Sequence, residues 1–190
     1  APRKRNVKHE PSCASLYQAV TYRQSPAPLL IGEQTNANGS KKFKALLEAN
    51  DYDGMVEMGR QCVKEGSHVI ELCVAFTGRN ETKDMIEVVT RFNQHVTAPL
   101  VIDSTEPEVI EAALERIAGK ALINSINLED GGKRMDQICS LAAKYGAGLV
   151  ALTIDETGMA KTRDQKLKVA SRIYDLVTKT YSIKGEDLFF

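Results

Sequence analysis

Short apolar runs alternate with longer stretches of helical periodicity from Leu29 onward. The runs are apolar on both faces, as strands buried within a parallel sheet are. They predict strands at 29–32, 68–74, 98–103, 121–126 and 148–154, and the start of a sixth at 187–190. Strands that alternate with helical segments are typical of βα units, so the pattern predicts an α/β fold with a parallel sheet.

The segment 107–118 shows the helical pattern most clearly. Four of its apolar residues recur at the spacing of one helix face: Val109, Ile110, Ala113 and Leu114. The other segments between predicted strands carry the same period. Each helix therefore has an apolar stripe that must lie on the sheet.

Residues 1–28 have a different character, with several prolines, a basic cluster and little periodicity. We interpret them as an N-terminal linker or arm outside the core, in which 15–20 (SLYQAV) forms a short helical turn. The domain itself is predicted to span 29–190.

Two architectures fit alternating strands and helices: an open doubly wound sheet and a (β/α)8 TIM barrel. A doubly wound nucleotide-binding fold carries GxGxxG after its first strand, and the first strand here runs into GEQTNANGSKKF instead. We therefore predict a barrel. About five βα units and the start of strand six are visible, so we expect a fragment of a barrel of about 250 residues. Its open edges should favour self-association, domain swapping or a complementary chain, and the missing later residues of the pocket should weaken ligand binding.

Composition narrows the possible partners. Lys and Arg together total 25, as do Asp and Glu, so the chain has no net charge to attract nucleic acid. No apolar run approaches the roughly 18 residues of a membrane span, and the charged start 1–12 lacks the apolar stretch of a signal peptide. We expect a cytoplasmic protein that binds neither nucleic acid nor membrane.

The four cysteines are Cys13, Cys62, Cys73 and Cys139, and they are scattered without a CxxC pair. This spacing favours reduced thiols over a disulfide framework or a zinc site. We therefore expect no metal site made by this chain alone.

Polar residues occur where the predicted strands end. Asp103 ends the third strand and Asn124 lies within the fourth, and in an apolar strand each needs a partner. Both could belong to a site, since catalytic residues of α/β barrels gather at the carboxyl ends of the strands. Alternatively, Asp103 caps the next helix and Asn124 bonds to loop backbone.

Four strings carry a resemblance to a known family: IGEQTNANGSKKF, PLVIDSTEPEVIEAALE, ALINSINLEDG and ALTIDETGMAKT. In this order and spacing they resemble successive motifs of the pterin-binding barrel of cobalamin-dependent methionine synthases and of acetogen corrinoid methyltransferases. The similarity runs from about Pro28 to the end. The string GEQTNANGSKKFKALLEANDYD and the arm SLYQAVTYRQ look more like the methionine synthases.

The resemblance implies a site for 5-methyltetrahydrofolate. It places the family's Asp and Asn contacts to the pterin on Asp103 and Asn124. An ionised Asp accepts two N–H bonds from an aminopyrimidinone edge, and an Asn amide both donates and accepts. The family's first-strand loop, which also lines the folate pocket, falls on Glu33, Asn36, Gly39, Ser40 and Lys41. Residues 36–40 are also composed like any turn before a helix.

The implied reaction is transfer of the N5 methyl group of 5-methyltetrahydrofolate to cob(I)alamin, from which homocysteine takes it to form methionine. Cobalamin would be carried by another module, and zinc would belong to a homocysteine-binding module. No proton donor to N5 is assigned. Alternatives are a dihydropteroate synthase, an acetogen-type corrinoid methyltransferase, or a non-catalytic folding or docking fragment.

The chain departs from the family pattern at three positions. Gln34 stands where many members have Arg, Cys73 where many have Asn, and Ala75 near a position that is often acidic. These departures put the fine substrate contacts in question.

Overall fold

The computed structural model describes residues 10–190 and shows alternating strands and helices. In chain order the strands are β1 (Ser12–Ala14), β2 (Ala19–Thr21), β3 (Ile31–Gly32), β4 (Val69–Leu72), β5 (Leu100–Asp103), β6 (Leu122–Ile126), β7 (Gly148–Ala151), β8 (Ile154–Asp155), β9 (Gly158–Met159) and β10 (Leu188–Phe189). The helices are α1 (Lys41–Glu48), α2 (Tyr52–Lys64), α3 (Glu81–His95), α4 (Pro107–Leu114), α5 (Lys133–Tyr145) and α6 (Arg163–Thr180), and a 3₁₀ turn (Gly185–Asp187) precedes β10. Among residues 10–190, none of the helices has the length and apolar character that a membrane span requires.

The main sheet has six parallel strands in the order β3-β4-β5-β6-β7-β10. Each strand of this sheet therefore lies beside the one that precedes it in the chain, with no reversal of direction. A doubly wound sheet reverses its order at a switch point, whereas a barrel adds strands in one direction only. The fold is thus an incomplete α/β barrel, as predicted, and all six predicted strands are present.

The outer face of this sheet packs against the helices. Ile70, Ile102 and Ile123 point to this side and are fully buried, in one cluster with helix residues such as Val89 and Ile110. Burying one such side chain contributes about 1.5–3 kcal/mol, so the helical stripes read from the sequence account for much of the core.

Side-chain caps set where most helices begin. Ser40, Asp51, Asn80 and Thr162 accept hydrogen bonds from the first turns of α1, α2, α3 and α6. Asp130 does the same for α5, accepting from the backbone N–H groups of Gly132 and Arg134 at 2.9 and 3.0 Å. These contacts satisfy N–H groups that have no partner within the helix.

The strand observed at 148–151 is shorter than the predicted strand 148–154. β7 ends at Ala151, and Ile154–Asp155 pairs antiparallel with Gly158–Met159 in a small hairpin of its own. Gly158 has a φ of 105°, which a tight turn permits only to a residue without Cβ. Apolar composition alone did not reveal this break.

The N-terminal segment corrects a second expectation. Residues 12–21 form the antiparallel hairpin β1–β2, so the predicted helical turn at 15–20 is wrong. Ser15 Oγ accepts from the backbone N–H groups of Tyr17 and Gln18 at 3.1 and 3.2 Å, which holds the chain in a turn between strands. Residues 1–9 of the predicted arm lie outside the described residues.

This hairpin closes the amino-terminal end of the barrel interior. Ala14 and Lys120 exchange two backbone hydrogen bonds of 2.9 Å, which attaches β1 to the segment before β6. Cys13 is fully buried in a cluster with Val69, Val101 and Leu122. Part of the predicted arm therefore belongs to the core. All four cysteines are buried and unbridged, in line with the prediction of reduced thiols.

Gly119 allows the hairpin to approach, which leads to a stability prediction. Its φ is +139°, and an added Cβ would overlap the carbonyl oxygen of Ala14. Gly66 has a φ of +99° and open space around it. We expect Gly66→Ala to lower the free energy of unfolding by about 1 kcal/mol, from backbone strain alone.

Gly119→Ala should lower the free energy of unfolding by about 1–3 kcal/mol more than Gly66→Ala does, because the overlap of the new Cβ with the Ala14 carbonyl oxygen adds to the backbone strain. Urea unfolding of both variants measures the difference. Equal losses would show that the hairpin does not depend on this close approach.

Candidate functional site

The inner face of the sheet changes from apolar to polar along its strands. Val69, Val101 and Leu122 lie toward the amino-terminal ends, beside the hairpin. Two residues further along, the same face carries Glu71, Asp103 and Asn124, respectively. Asp103 and Asn124 are register partners on β5 and β6. Strand alternation thus places two carboxyls and an amide together at the barrel mouth.

Glu71 connects these side chains. Its Oε1 accepts a hydrogen bond from Asn36 Nδ2 at 2.8 Å, and its Oε2 accepts one from Asn124 Nδ2 at 3.2 Å. Asn36 Nδ2 also donates to Asp103 Oδ2 at 3.1 Å. The four residues form a chain of contacts, Asn124–Glu71–Asn36–Asp103, in which both amides donate to carboxylates.

The loop after β3 holds Asn36 in place. Asn36 Oδ1 accepts from the backbone N–H groups of Asn38 and Gly39 at 2.8 and 3.2 Å. The hydroxyl of Thr35 donates to the carbonyl of Glu71, and the Ala37 N–H donates to the carbonyl of Cys73 at 2.9 Å. Asn36 therefore uses its oxygen within its own loop and its nitrogen toward the strands.

Burial dominates the electrostatics of this cluster. It raises the pKa of Glu71, which is only 5% exposed; the hydrogen bond from Asn36 opposes this shift, while Asp103 and Glu33 add to it. Burial also raises the pKa of Asp103, against the opposing effects of Cys73, Asn36 and, more weakly, Arg134. Above their raised pKa values the two carboxylates are hydrogen-bond acceptors, and they then favour ligands that donate hydrogen bonds.

Arg134 and Cys73 flank the cluster. Arg134 Nη2 donates long hydrogen bonds of 3.4 and 3.3 Å to the carbonyls of Ser104 and Ser125, and its buried Nε has no partner among residues 10–190. Burial raises the pKa of the Cys73 thiol to about 12, so this thiol stays protonated and is not a nucleophile at neutral pH.

The predicted site residues fall into three groups. Asn36, Asp103 and Asn124 come together in the cluster. Glu33 is exposed at the end of β3, close enough for its charge to affect Glu71 and Asp103. The remaining three lie just before α1 or at its start. Gly39 donates its backbone N–H to Asn36 Oδ1 at 3.2 Å, Ser40 caps the helix through Phe43 N–H at 3.2 Å, and Lys41 is the first helical residue.

The structural alternatives for Asp103 and Asn124 are wrong. The cap position of α4 is occupied by Glu106, which makes no side-chain cap bond, so Asp103 does not cap that helix. Asn124 bonds to the side chain of Glu71 and not to loop backbone.

Glu71 is the residue that sequence reasoning missed. It is a polar residue within a predicted strand, like Asp103 and Asn124, but it was not included among the predicted site residues. Its spacing of two from Val69 on β4 puts it on the inner face, and the same spacing separates Val101 from Asp103. Comparing the strands position by position would have found it.

A cleft of about 500 Å³ opens beside the cluster, between the β3–α1 and β4–α3 loops. Asn38 lines this cleft and also donates through Nδ2 to Cys73 Sγ at 3.5 Å. Among residues 10–190, no three His, Cys, Asp or Glu side chains are grouped as a metal ion requires. None of the four residues of the Asn124–Glu71–Asn36–Asp103 chain lines this cleft, and Asn38 connects the two through its backbone N–H, which donates to Asn36 Oδ1.

Solved structures share this fold at low sequence identity. The dihydropteroate synthase from Xanthomonas albilineans in complex with 7,8-dihydropteroate matches with a TM-score of 0.64 and 16% identity, over 94% of this chain and 63% of that one. The 7,8-dihydropteroate synthase from Vibrio fischeri ES114 matches with a TM-score of 0.63 and 12% identity, over 93% and 64%. These likenesses establish the barrel fold alone.

Sequence comparison gives a closer match. The chain is 41% identical over 182 residues to methionine synthase of Mycobacterium leprae (strain TN) and 40% identical over 182 residues to that of Mycobacterium tuberculosis (strain ATCC 25618 / H37Rv). Each match covers 94% of this chain, which spans about 15% of those relatives. The model of the pterin binding enzyme family matches residues 32–190, so the chain belongs to that family.

Proposed function

We propose that this chain binds 5-methyltetrahydrofolate and presents its N5 methyl group to cob(I)alamin during methionine synthesis. The observation that carries the proposal is the acceptor-rich cluster of Asp103 and Asn124 at the barrel mouth, organised around Glu71. The similarity to two methionine synthases at about 40% identity favours this reaction over the other reactions of the family.

The pterin would bind through its pyrimidine edge. That edge carries an amino group and a ring N–H, which are hydrogen-bond donors. Asp103 is an acceptor when ionised, and the Asn124 oxygen has no hydrogen-bond partner among residues 10–190. Two acceptors on neighbouring strands fit two donors on one edge of a flat ring.

Orientation is the catalytic task of these residues. N5 of the folate is a poor leaving group, so it needs a proton or a strong hydrogen bond as the carbon–nitrogen bond breaks. A pterin held by its far edge keeps N5 and the methyl group toward the open mouth, where a nucleophile can approach in line. We assign no proton donor to N5.

We assign cobalamin to another module of the enzyme, where its cobalt supplies the nucleophile. The cluster offers hydrogen-bond acceptors and no imidazole. The described histidines His68 and His95 lie before β4 and at the end of α3, away from the strand ends that form the site. Zinc would likewise belong to a homocysteine-binding module.

Two other functions are less well supported. Dihydropteroate synthases share the fold, but at 18% identity or less they support no more than the fold for this chain. A non-catalytic docking fragment would leave the strand-end polar residues as helix caps, and neither Asp103 nor Asn124 has that role.

Asp103→Asn should weaken binding of 5-methyltetrahydrofolate to the full natural polypeptide by about 1.5–3 kcal/mol, the worth of a hydrogen bond to a charged group. Isothermal titration calorimetry measures the loss. Asp175→Asn is the matched control, since Asp175 makes an exposed ion pair with Lys179 on α6. This variant should bind 5-methyltetrahydrofolate with wild-type affinity. An unchanged affinity in Asp103→Asn would remove Asp103 from the folate site.

The raised carboxyl pKa values predict a pH dependence of stability. Burial raises the pKa values of Asp103 and Glu71 above their ordinary 3.8 and 4.5, so above those values the native state binds more protons than the unfolded state. The stability contributed by the protonated groups is lost as the pH rises through their native pKa values.

Glu71→Gln cannot ionise at this position, so its free energy of unfolding should fall less than that of the wild type as the pH rises from about 4 to 7. Urea titrations across this range give both slopes. Glu115→Gln, an exposed change at the end of α4, should keep the wild-type slope. A steeper fall in Glu71→Gln would contradict the buried-carboxyl account.

A further inference from the structure

Glu71 makes two contacts that constrain its neighbours. An ionised carboxylate accepts hydrogen bonds and cannot donate them. Its two oxygens are each reached by an amide nitrogen, from Asn36 at 2.8 Å and from Asn124 at 3.2 Å. Neither amide can turn its oxygen toward Glu71 without placing two acceptors against each other.

The contact with Glu71 determines which atom of Asn124 is available to the ligand. Because its nitrogen faces Glu71, its oxygen faces away and is free among the described residues. The oxygen of Asn36 is already used by the N–H groups of Asn38 and Gly39. Asn124 therefore offers the ligand an acceptor, beside the second acceptor Asp103.

We infer that Glu71 is a positioning residue that fixes the amide orientation of Asn124, and of Asn36 behind Asp103, and so selects ligands with a donor edge. This inference rests on the proposed function and adds the residue that sets its specificity. Glu71 is 5% exposed and lies behind the two amides, so it acts through them and not by touching the pterin.

An exchange of groups between Glu71 and Asn124 tests the inference. Asn36 and Asn124 reach different oxygens of Glu71, and in Glu71→Gln an NH2 group replaces one of these oxygens, so one of the two contacts is lost. In Asn124→Asp, two carboxylates meet. In the double variant Glu71→Gln/Asn124→Asp, the new amide accepts from Asn36, donates to the new carboxylate, and leaves the second oxygen of that carboxylate to the ligand.

The measurement is the dissociation constant of each variant, made in the full natural polypeptide with 5-methyltetrahydrofolate and with plain pterin as probes. Each single variant should bind at least about tenfold more weakly, because a misdirected polar group is left unpaired. The double variant should return to within about threefold of the wild type, or bind more tightly. Glu115→Gln serves as the matched control, and thermal melts show that each variant is folded.

Wild-type affinity in Glu71→Gln would overturn the inference. The inference would also be overturned if the loss of affinity in the double variant equalled the product of the fold-losses in the two single variants. Glu71 would then act by its charge or on stability alone. If Glu71→Gln does not fold, the inference is tested by comparing Asn124→Asp with the double variant. The double variant must then bind the probe more tightly than Asn124→Asp does.

The two probes separate this inference from the proposed function. A wild-type protein that binds pterin but not 5-methyltetrahydrofolate would refute the folate proposal, and the exchange would then be decided with pterin. Binding of neither probe to the wild type would overturn both.

Discussion

A carboxylate buried in an apolar strand is stable when donors reach both of its oxygens, and the barrel mouth is built around one such group. Glu71 receives one amide from the loop after β3 and another from β6, and the loop amide continues to Asp103 on β5. These bonds join four elements: the loop after β3, β4, β5 and β6. They also offset the desolvation of the carboxylate, which is costly without partners.

The two ends of the barrel interior differ because the inner-facing rows of β4, β5 and β6 start apolar and end polar. At the amino-terminal end, Cys13 of the hairpin fills the space among Val69, Val101 and Leu122 and removes it from water. At the other end, the rows finish in acceptors. A closed apolar base therefore lies below a polar mouth.

The barrel was predictable because its strands and helices follow strict local periods, and Asp103 and Asn124 were predictable because polar groups in apolar strands need partners. Glu71 satisfies the same criterion, and comparison of the strands position by position would have included it, but its bonds to Asn36 and Asn124 become visible only once β4 is placed in the sheet. The hairpin was missed for a different reason: its strands have three residues each, and they depend on backbone pairing with Lys120, far along the chain. Periodicity carries no information about such a contact.

The most direct test of the central claim is a crystal structure of the full natural polypeptide with 5-methyltetrahydrofolate bound. We predict that the pyrimidine edge lies about 2.7–3.2 Å from a carboxylate oxygen of Asp103 and from the amide oxygen of Asn124, the range of N–H···O bonds. Glu71 should remain behind them with both oxygens bonded to amides, and the methyl group should face the open mouth. A folate whose pyrimidine edge lies elsewhere, or an Asn124 amide whose nitrogen faces the ligand, would contradict the account.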